Sequence, residues 1–182
     1  MPKYIKVYDN VLSKDLCSRL INNFETHGLD THEFFDDEFK RFNQLTMNPD
    51  DAKQKDLIEE IVSIMQKLYL QYIKDVELEQ YQVPKKIGYE GLRIKKYYDS
   101  DCEFKPHVDV IDYDSSKRFM SFLFYLNDTD DGDTIFFDQN INIKPTLGRV
   151  VMFPPLWCYP HQGSRSSNGD KYILSTYLNF VQ

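Results

Sequence analysis

Phe119-Met120-Ser121-Phe122-Leu123-Phe124-Tyr125-Leu126 is the stretch on which the fold turns. Read with a strand's period of two it is apolar on both faces, which places it in the middle of a sheet covered on both sides. Ser121, Leu123 and Tyr125 then share one face. Downstream, strand-like runs return every ten to twenty residues or so, separated by Asn127 to Gly132, by Asp138-Gln139-Asn140 and by Ser164 to Gly169. That spacing argues for antiparallel sheets rather than βαβ units. In the last run Lys171, Ile173, Ser175 and Tyr177 fall on one face. Upstream, Ile5-Lys6-Val7-Tyr8 alternates like a short strand. Ser13 is placed to cap a helix carrying Leu16, Leu20, Ile21 and Phe24 up to Gly28. Pro49-Asp50-Asp51 opens a second helix, with Leu57, Ile61, Ile64, Met65, Leu68 and Tyr72 in helical phase. The expected architecture is mainly β with flanking helices (α+β): two sheets rolled face to face as a double-stranded β-helix, or jelly-roll, buttressed by two N-terminal helices. It forms one domain over residues 1–182, with its core at about 90–180. Residues 28–48 are acidic and aromatic without a sustained period, and read either as a packed loop or as a lid over a site.

At the two ends of the downstream region stand residues that bind metals. His107-Val108-Asp109 sets an imidazole and a carboxylate two apart, on one face if the segment is a strand. His161 follows in Tyr159-Pro160-His161-Gln162-Gly163. With 29 acids among 182 residues, a His-x-acid pair among four histidines arises about as often as not from composition alone. The signal is the constellation of His107, Asp109 and His161 with Lys171, read as lying across a hairpin whose turn holds Ser166-Ser167-Asn168-Gly169. Two imidazoles and a carboxylate on one face of an octahedron make the facial triad of non-haem Fe(II) sites, with three positions open. An ammonium inside a barrel is costly unless paired, which favours a functional Lys171, although an internal acid could pair with it. His27 and His32, with no acid two residues on, read as ordinary histidines. Arg165 reads as a solvated charge, and Cys158 beside Trp157 as core.

The 182 residues carry 22 basic and 29 acidic side chains, a formal net charge of -7, and a pI near 5.1. No electrostatic footprint for a phosphate backbone is visible, so no nucleic-acid partner is expected. The amino terminus lacks the apolar core of a secretory signal and no run reaches membrane-spanning length. Cys17, Cys102 and Cys158 form no paired spacing and fit reduced thiols. The reading is cytoplasmic.

Lys105-Pro106-His107-Val108-Asp109, Phe124-Tyr125-Leu126-Asn127-Asp128, Gly132-Asp133-Thr134-Ile135-Phe136-Phe137, Pro145 to Phe153, His161-Gln162-Gly163 and Gly169-Asp170-Lys171-Tyr172 together resemble, in order and spacing, the Fe(II)- and 2-oxoglutarate-dependent dioxygenases, most of all the prolyl 4-hydroxylase branch. The resemblance implies Fe(II) on His107, Asp109 and His161 as metal ligands and catalytic centre. It implies 2-oxoglutarate as co-substrate, with Lys171 at its distal carboxylate and a tyrosine ahead of the first histidine, Tyr97 or Tyr98; strand phase adds the Tyr125 hydroxyl beside Lys171 if both faces look into the barrel, with an ordinary core tyrosine as the alternative. It further implies O2 as oxidant, ascorbate as an accessory reductant, and hydroxylation of a C–H bond with release of succinate and CO2. The expected substrate is a proline in a peptide or protein, with a free amino acid or other small molecule as the alternative. The family's usual glycine before the His-x-Asp is replaced by Asp99-Ser100-Asp101-Cys102, so the entrance is expected to differ. A non-catalytic jelly-roll binding module is the rival from another class. It would have no reason to keep three ligands and Lys171 together. Demethylation of nucleic-acid bases is disfavoured by the acidic balance and by a single lysine where those enzymes carry paired arginines.

Overall fold

A computed structural model describes residues 2–26, 40–98 and 102–182 in full and residues 32–36 as backbone. Its strands are β1 (Lys6–Tyr8), β2 (His32–Asp36), β3 (Arg41–Thr46), β4 (Ile87–Tyr89), β5 (Arg93–Tyr97), β6 (Phe104–His107), β7 (Arg118–Tyr125), β8 (Thr134–Phe136), β9 (Ile141–Ile143), β10 (Val150–Phe153), β11 (His161–Gly163) and β12 (Lys171–Phe180). Two helices, α1 (Lys14–Thr26) and α2 (Ala52–Asp75), precede most of the barrel. The major sheet runs β1-β10-β7-β12-β5-β3-β2, with β4 added to the far half of β12. The minor sheet runs β6-β11-β8-β9, and neighbouring strands in both sheets are antiparallel. This is the expected jelly-roll with two buttressing helices.

β7 is central because both its faces are apolar, and the faces do different work. Phe122 and Phe124 point to the helices, joining Val150 and Met152 of β10 and Leu174 and Leu178 of β12 against Leu16, Leu20, Ile61 and Met65. Tyr125 points between the sheets, with Val151 and Phe153 of β10 and Ile173 of β12. The period of two is thus divided between a helix-facing core and a barrel interior. Each wholly buried phenylalanine contributes about 2–3 kcal/mol. α1 begins where Ser13 Oγ accepts from Leu16 N–H at 3.1 Å. α2 begins where the Asp51 carboxylate accepts from Lys53 N–H at 2.8 Å. These caps satisfy backbone donors that the first turn leaves over.

Three expectations need correction. Residues 41–46 are no loop but a strand, β3, paired with β5 and with β2. Four of its six residues are buried, Asn43 and Gln44 among them, so it shows no alternation in the sequence. Residues 28–31 and 37–39, His27 and Asp99 to Asp101 lie outside the described residues, as does the side chain of His32. The Ser166–Gly169 turn does not close a hairpin. β11 pairs in the minor sheet and β12 in the major one, so the turn crosses between sheets. It is held there by Ser167 Oγ on the Asp131 carboxylate, Asn168 on Asp130 at 2.8 Å and Ser166 Oγ on Gly169 O at 2.8 Å. Cys158 is half-buried and Trp157 is exposed, because both sit on the loop after β10 rather than in a strand. All three cysteines are free thiols. No helix among the described residues is long and apolar enough to cross a membrane.

Gly148, at φ +76°, turns the chain into β10 and accepts at its carbonyl from Val11 and Leu12 N–H at 2.9 and 3.1 Å. A Cβ there would stand 2.3 Å from Leu12 O. Gly148→Ala meets both backbone strain and a backbone clash, and is expected to lower stability by at least about 2 kcal/mol. Urea unfolding monitored by tryptophan fluorescence and circular dichroism checks it.

Candidate active site

β6 and β11 are neighbours in the minor sheet, and their register sets His107 opposite His161. Asp109 lies two residues beyond the end of β6, where the chain turns back. It reaches the histidines through this turn and not through strand alternation. Asp109 Oδ1 is 3.7 Å from His107 Nε2 and 3.9 Å from His161 Nε2. One ligand atom from each of the three lies within 4.8 Å of the others.

Both imidazoles are oriented from behind. His107 Nδ1 donates to Lys105 O at 2.7 Å and His161 Nδ1 to Tyr159 O at 3.1 Å. A carbonyl only accepts, so each Nδ1 carries a proton and each Nε2 is turned toward Asp109. Phe104 stacks on His107 at 3.5 Å between centroids, and Phe153 meets His161 edge-on at 4.9 Å. Burial, together with the neighbouring His161, pushes His107 down to about 3, so the ring is neutral. Asp109 Oδ2 is buried without a hydrogen-bond partner among the described residues. A carboxylate oxygen so placed is costly unless a cation meets it. Two imidazoles aimed from behind and one carboxylate with an unpartnered oxygen fit a divalent ion that takes N and O ligands, with positions left open.

Lys171 opens β12 and is wholly buried. Its ammonium donates to Gly132 O and Ser164 O, both at 2.8 Å, and lies 4.6 Å from the Tyr97 ring centre. Among the described residues its partners are backbone carbonyls and not an internal acid. Burial lowers its pKa to about 8, against the pull of Asp133 and Asp131. A Cβ on Gly163 would stand 3.9 Å from Nζ, so the glycine leaves the ammonium close behind the wall of a narrow inner chamber of about 30 Å³. Tyr97, Thr134, His107, Asp109, His161 and Tyr177 also line this chamber.

Tyr125 does not line the chamber. It is wholly buried and donates to Thr134 Oγ1 at 2.6 Å, so it positions the threonine that does. Of the two candidate tyrosines, Tyr97 faces the chamber. Tyr98, past the end of β5, accepts from Asn43 Nδ2 at 2.9 Å. Arg165 pairs with Glu103 at 2.9 Å on the exterior.

The sequence reading missed a cluster on the far side of the triad. Glu90 accepts from both Arg118 nitrogens, at 2.9 and 2.7 Å, and also from Arg93. Arg118 Nη1 in turn donates to Asp109 O at 2.7 Å, fixing the backbone of the ligand loop. Burial alone would raise the Glu90 carboxyl, but the two guanidiniums outweigh it and hold it at about 2. Arg93, Lys95 and Tyr97 share one face of β5, and all but Tyr97 also line an outer cleft of about 500 Å³. The signal was available in principle: Leu92 and Ile94 take the apolar face, so the alternate residues must face the barrel.

A family model described as the 2OG-Fe(II) oxygenase superfamily matches residues 92–179, a span holding every residue of the triad and its two chambers from β5 to β12. No curated protein matches. Among solved structures, a viral collagen prolyl hydroxylase from Paramecium Bursaria Chlorella virus-1 in its 2OG complex is similar, at TM-score 0.73 and 20% identity, over 98% of this chain and 97% of that one. A Pseudomonas putida prolyl-4-hydroxylase is similar at 0.75 and 15%, over 98% and 93%. A Trichoplax adhaerens prolyl hydroxylase in complex with a hypoxia inducible factor oxygen degradation domain peptide fragment is similar at 0.76 and 14%, over 97% and 84%. At these identities the likeness speaks for the fold.

Glu90→Gln leaves two part-buried guanidiniums facing a neutral amide, and is expected to cost about 2–4 kcal/mol at pH 7. Because the folded carboxyl is held at about 2 from 4.5, its contribution is complete above pH 4.5 and is lost as pH falls toward 2. The stability gap between wild type and variant, from urea midpoints at several pH values, should therefore close on the acid side.

Proposed function

We infer from the family match over residues 92–179 that the chain belongs to the 2OG-Fe(II) oxygenase superfamily, whose members use Fe(II), 2-oxoglutarate and O2. On that premise we propose that the whole chain acts as one catalytic domain, a dioxygenase that hydroxylates the C–H bond of a proline in a peptide. The reaction inserts one oxygen atom of O2 into that bond and leaves the other in succinate, with CO2 lost from 2-oxoglutarate. The observation that carries it is the convergence of two Nε2 atoms and the orphaned Asp109 Oδ2 beside a chamber backed by a buried ammonium. His107, Asp109 and His161 would hold the iron. When bound, the iron supplies the oxidising power that no side chain offers.

The chain's own residues do the rest. The backbone carbonyls behind His107 and His161 accept from Nδ1 and keep both Nε2 atoms aimed. Lys171, held by Gly132 O and Ser164 O, offers its remaining N–H to the distal carboxylate of 2-oxoglutarate. Thr134, positioned by Tyr125, and Tyr97 would stand beside it. Phe104, Leu123 and Ile173 wall the chamber with apolar surface and keep water from the reacting carbon.

The preference for a peptide rests on the fold neighbours, which are prolyl hydroxylases, one of them bound to a peptide fragment. It rests also on an open outer cleft rimmed by the exposed Ile111. Ascorbate enters only as the reductant that keeps iron ferrous. The free thiols fit a reducing compartment, the cytoplasm.

His107→Ala and His161→Ala should each weaken Mn(II) binding by about 100-fold or more, read by calorimetry under argon; undiminished binding would remove the site. Lys171→Met should raise the KM for 2-oxoglutarate by about 30-fold or more while Mn(II) binding persists, since truncating one partner of a buried charged pair costs about 2–5 kcal/mol. In competition among proline peptides, free L-proline and other free amino acids, hydroxylation of peptides alone is expected. Oxygen gained only by free amino acids would replace the peptide substrate and leave the dioxygenase standing.

A further inference from the structure

Lys95 projects from the middle of β5 into the space shared by the inner chamber and the outer cleft, and it lines both. Its ammonium lies 5.0 Å from the ring centre of Phe42 and 5.5 Å from that of Phe104. Those two rings pack 5.6 Å apart, and Phe104 is the ring stacked on His107. The cation is therefore fixed by aromatic faces a single ring away from the triad. Among the described residues it has neither hydrogen bond nor ion pair. The acid that acts on it through space is Asp109, while Arg93, Lys40 and Arg118 act with like charge. Lys95 is half-buried, and burial pulls its pKa down to about 8 against the pull of Asp109.

The charges around it do not balance. Asp109 faces the two imidazoles, and a dication there would take up its charge. Such an ion with one carboxylate ligand leaves one positive charge, and Lys171 and Lys95 bring that to three. A dianionic co-substrate cancels two. Further out, Arg93 and Arg118 share the single carboxylate of Glu90, and Lys40 and Lys117 on the same lining are matched in number by Asp112 and Asp114, so that wall is also positive by one. This surplus is local to a chain whose formal net charge is -7. Uncompensated cations that are partly buried are costly unless an anion meets them. The co-substrate already has takers for both ends, Lys171 at one and the metal at the other, so the missing anion must enter from the outer cleft with the substrate.

Resting on the dioxygenase reading, we propose that Lys95 is a specificity-determining residue that binds a carboxylate carried by the substrate itself, next to the carbon that is hydroxylated. Two sources share this chemistry. One is the α-carboxylate of free or C-terminal proline; the other is the side chain of an Asp or Glu adjoining the proline in a peptide.

The test uses the full-length protein loaded with Mn(II) and 2-oxoglutarate under argon, with binding read by calorimetry. The probes are an Asp-Pro-containing peptide, its Asn-Pro counterpart, L-proline and L-prolinamide. Wild type should bind at least one acid about tenfold or more tightly than its amide, the scale of one charge-assisted contact. Which pair shows the preference identifies the source. Lys95→Met, which keeps the stem and the stacking rings, should erase the preference and leave 2-oxoglutarate affinity within about threefold, while Lys95→Arg should retain it in part. Equal binding of acids and amides by wild type, an unchanged preference in Lys95→Met, or binding of none of the four would overturn the proposal. So would a tenfold or greater loss of 2-oxoglutarate affinity in Lys95→Met, which would assign the cation to the co-substrate. Failure of wild type to bind 2-oxoglutarate at all would overturn the underlying dioxygenase reading as well, and is read separately.

Discussion

The antiparallel pairing of β6 with β11 is the constraint on which the site depends. It sets His107 opposite His161 at a ring separation of 4.4 Å, and every other group is arranged to make that approach tolerable. Two imidazoles this close would repel if both were charged, and each has a backbone carbonyl behind it that accepts from Nδ1 and turns Nε2 toward Asp109. Phe104, Phe136 and Phe153 fill the space around the rings and remove their freedom to swing apart. The turn after His107 then delivers one carboxylate, held at its backbone by Arg118. Stability and function are coupled here. Glu90 neutralises the guanidinium that fixes the ligand loop, so an acid that touches no reacting atom still governs where Asp109 stands.

The major sheet separates what keeps the protein folded from what makes it reactive. Its helix-facing side is aliphatic and aromatic, and α1 and α2 lie on it. Its inward side carries polar groups at intervals: Arg93 and Lys95 on β5, Lys171 and Tyr177 on β12. Period two allows both in one strand, because a change on one face need not disturb packing on the other. The cost falls on the interior, where desolvation lowers the pKa of both lysines and raises those of Tyr97 and Tyr177.

Much of this was legible before the structure. β7 declared itself by being apolar on both faces, and the helices by their phase and their capping residues Ser13 and Asp51. The triad was legible as residue types in order, although the reason given for Asp109 was only half right: it meets His107 through a turn and not along a strand. What the sequence concealed depended on contacts distant along the chain. β3 hides among polar residues because its Asn43 and Gln44 are buried by neighbours dozens of positions away. The Ser166–Gly169 turn looks like a hairpin because a turn's residues reveal its shape and not which sheets its flanking strands join. The choice between Tyr97 and Tyr98 stayed open for a related reason, since β5 ends at Tyr97 and strand phase no longer applies to the next residue.

Lys95 was overlooked for a reason that generalises. A lysine in a strand such as Arg93-Ile94-Lys95-Lys96 reads as one more surface charge, and Lys96 is matched by acids, reaching Glu25 and Asp170 at 2.9 and 3.1 Å. Its neighbour faces the opposite way, and the same residue type one position earlier is an ammonium over the rings of Phe42 and Phe104 without an ion pair among the described residues. Burial turns an inexpensive surface charge into a costly one, and the cost is recovered only if something anionic fills the space before it. The distinction between a decorative and a functional lysine therefore rests on which face of one strand is closed. In this barrel that is decided by Leu92 and Ile94, the apolar residues that give the other face to the helices.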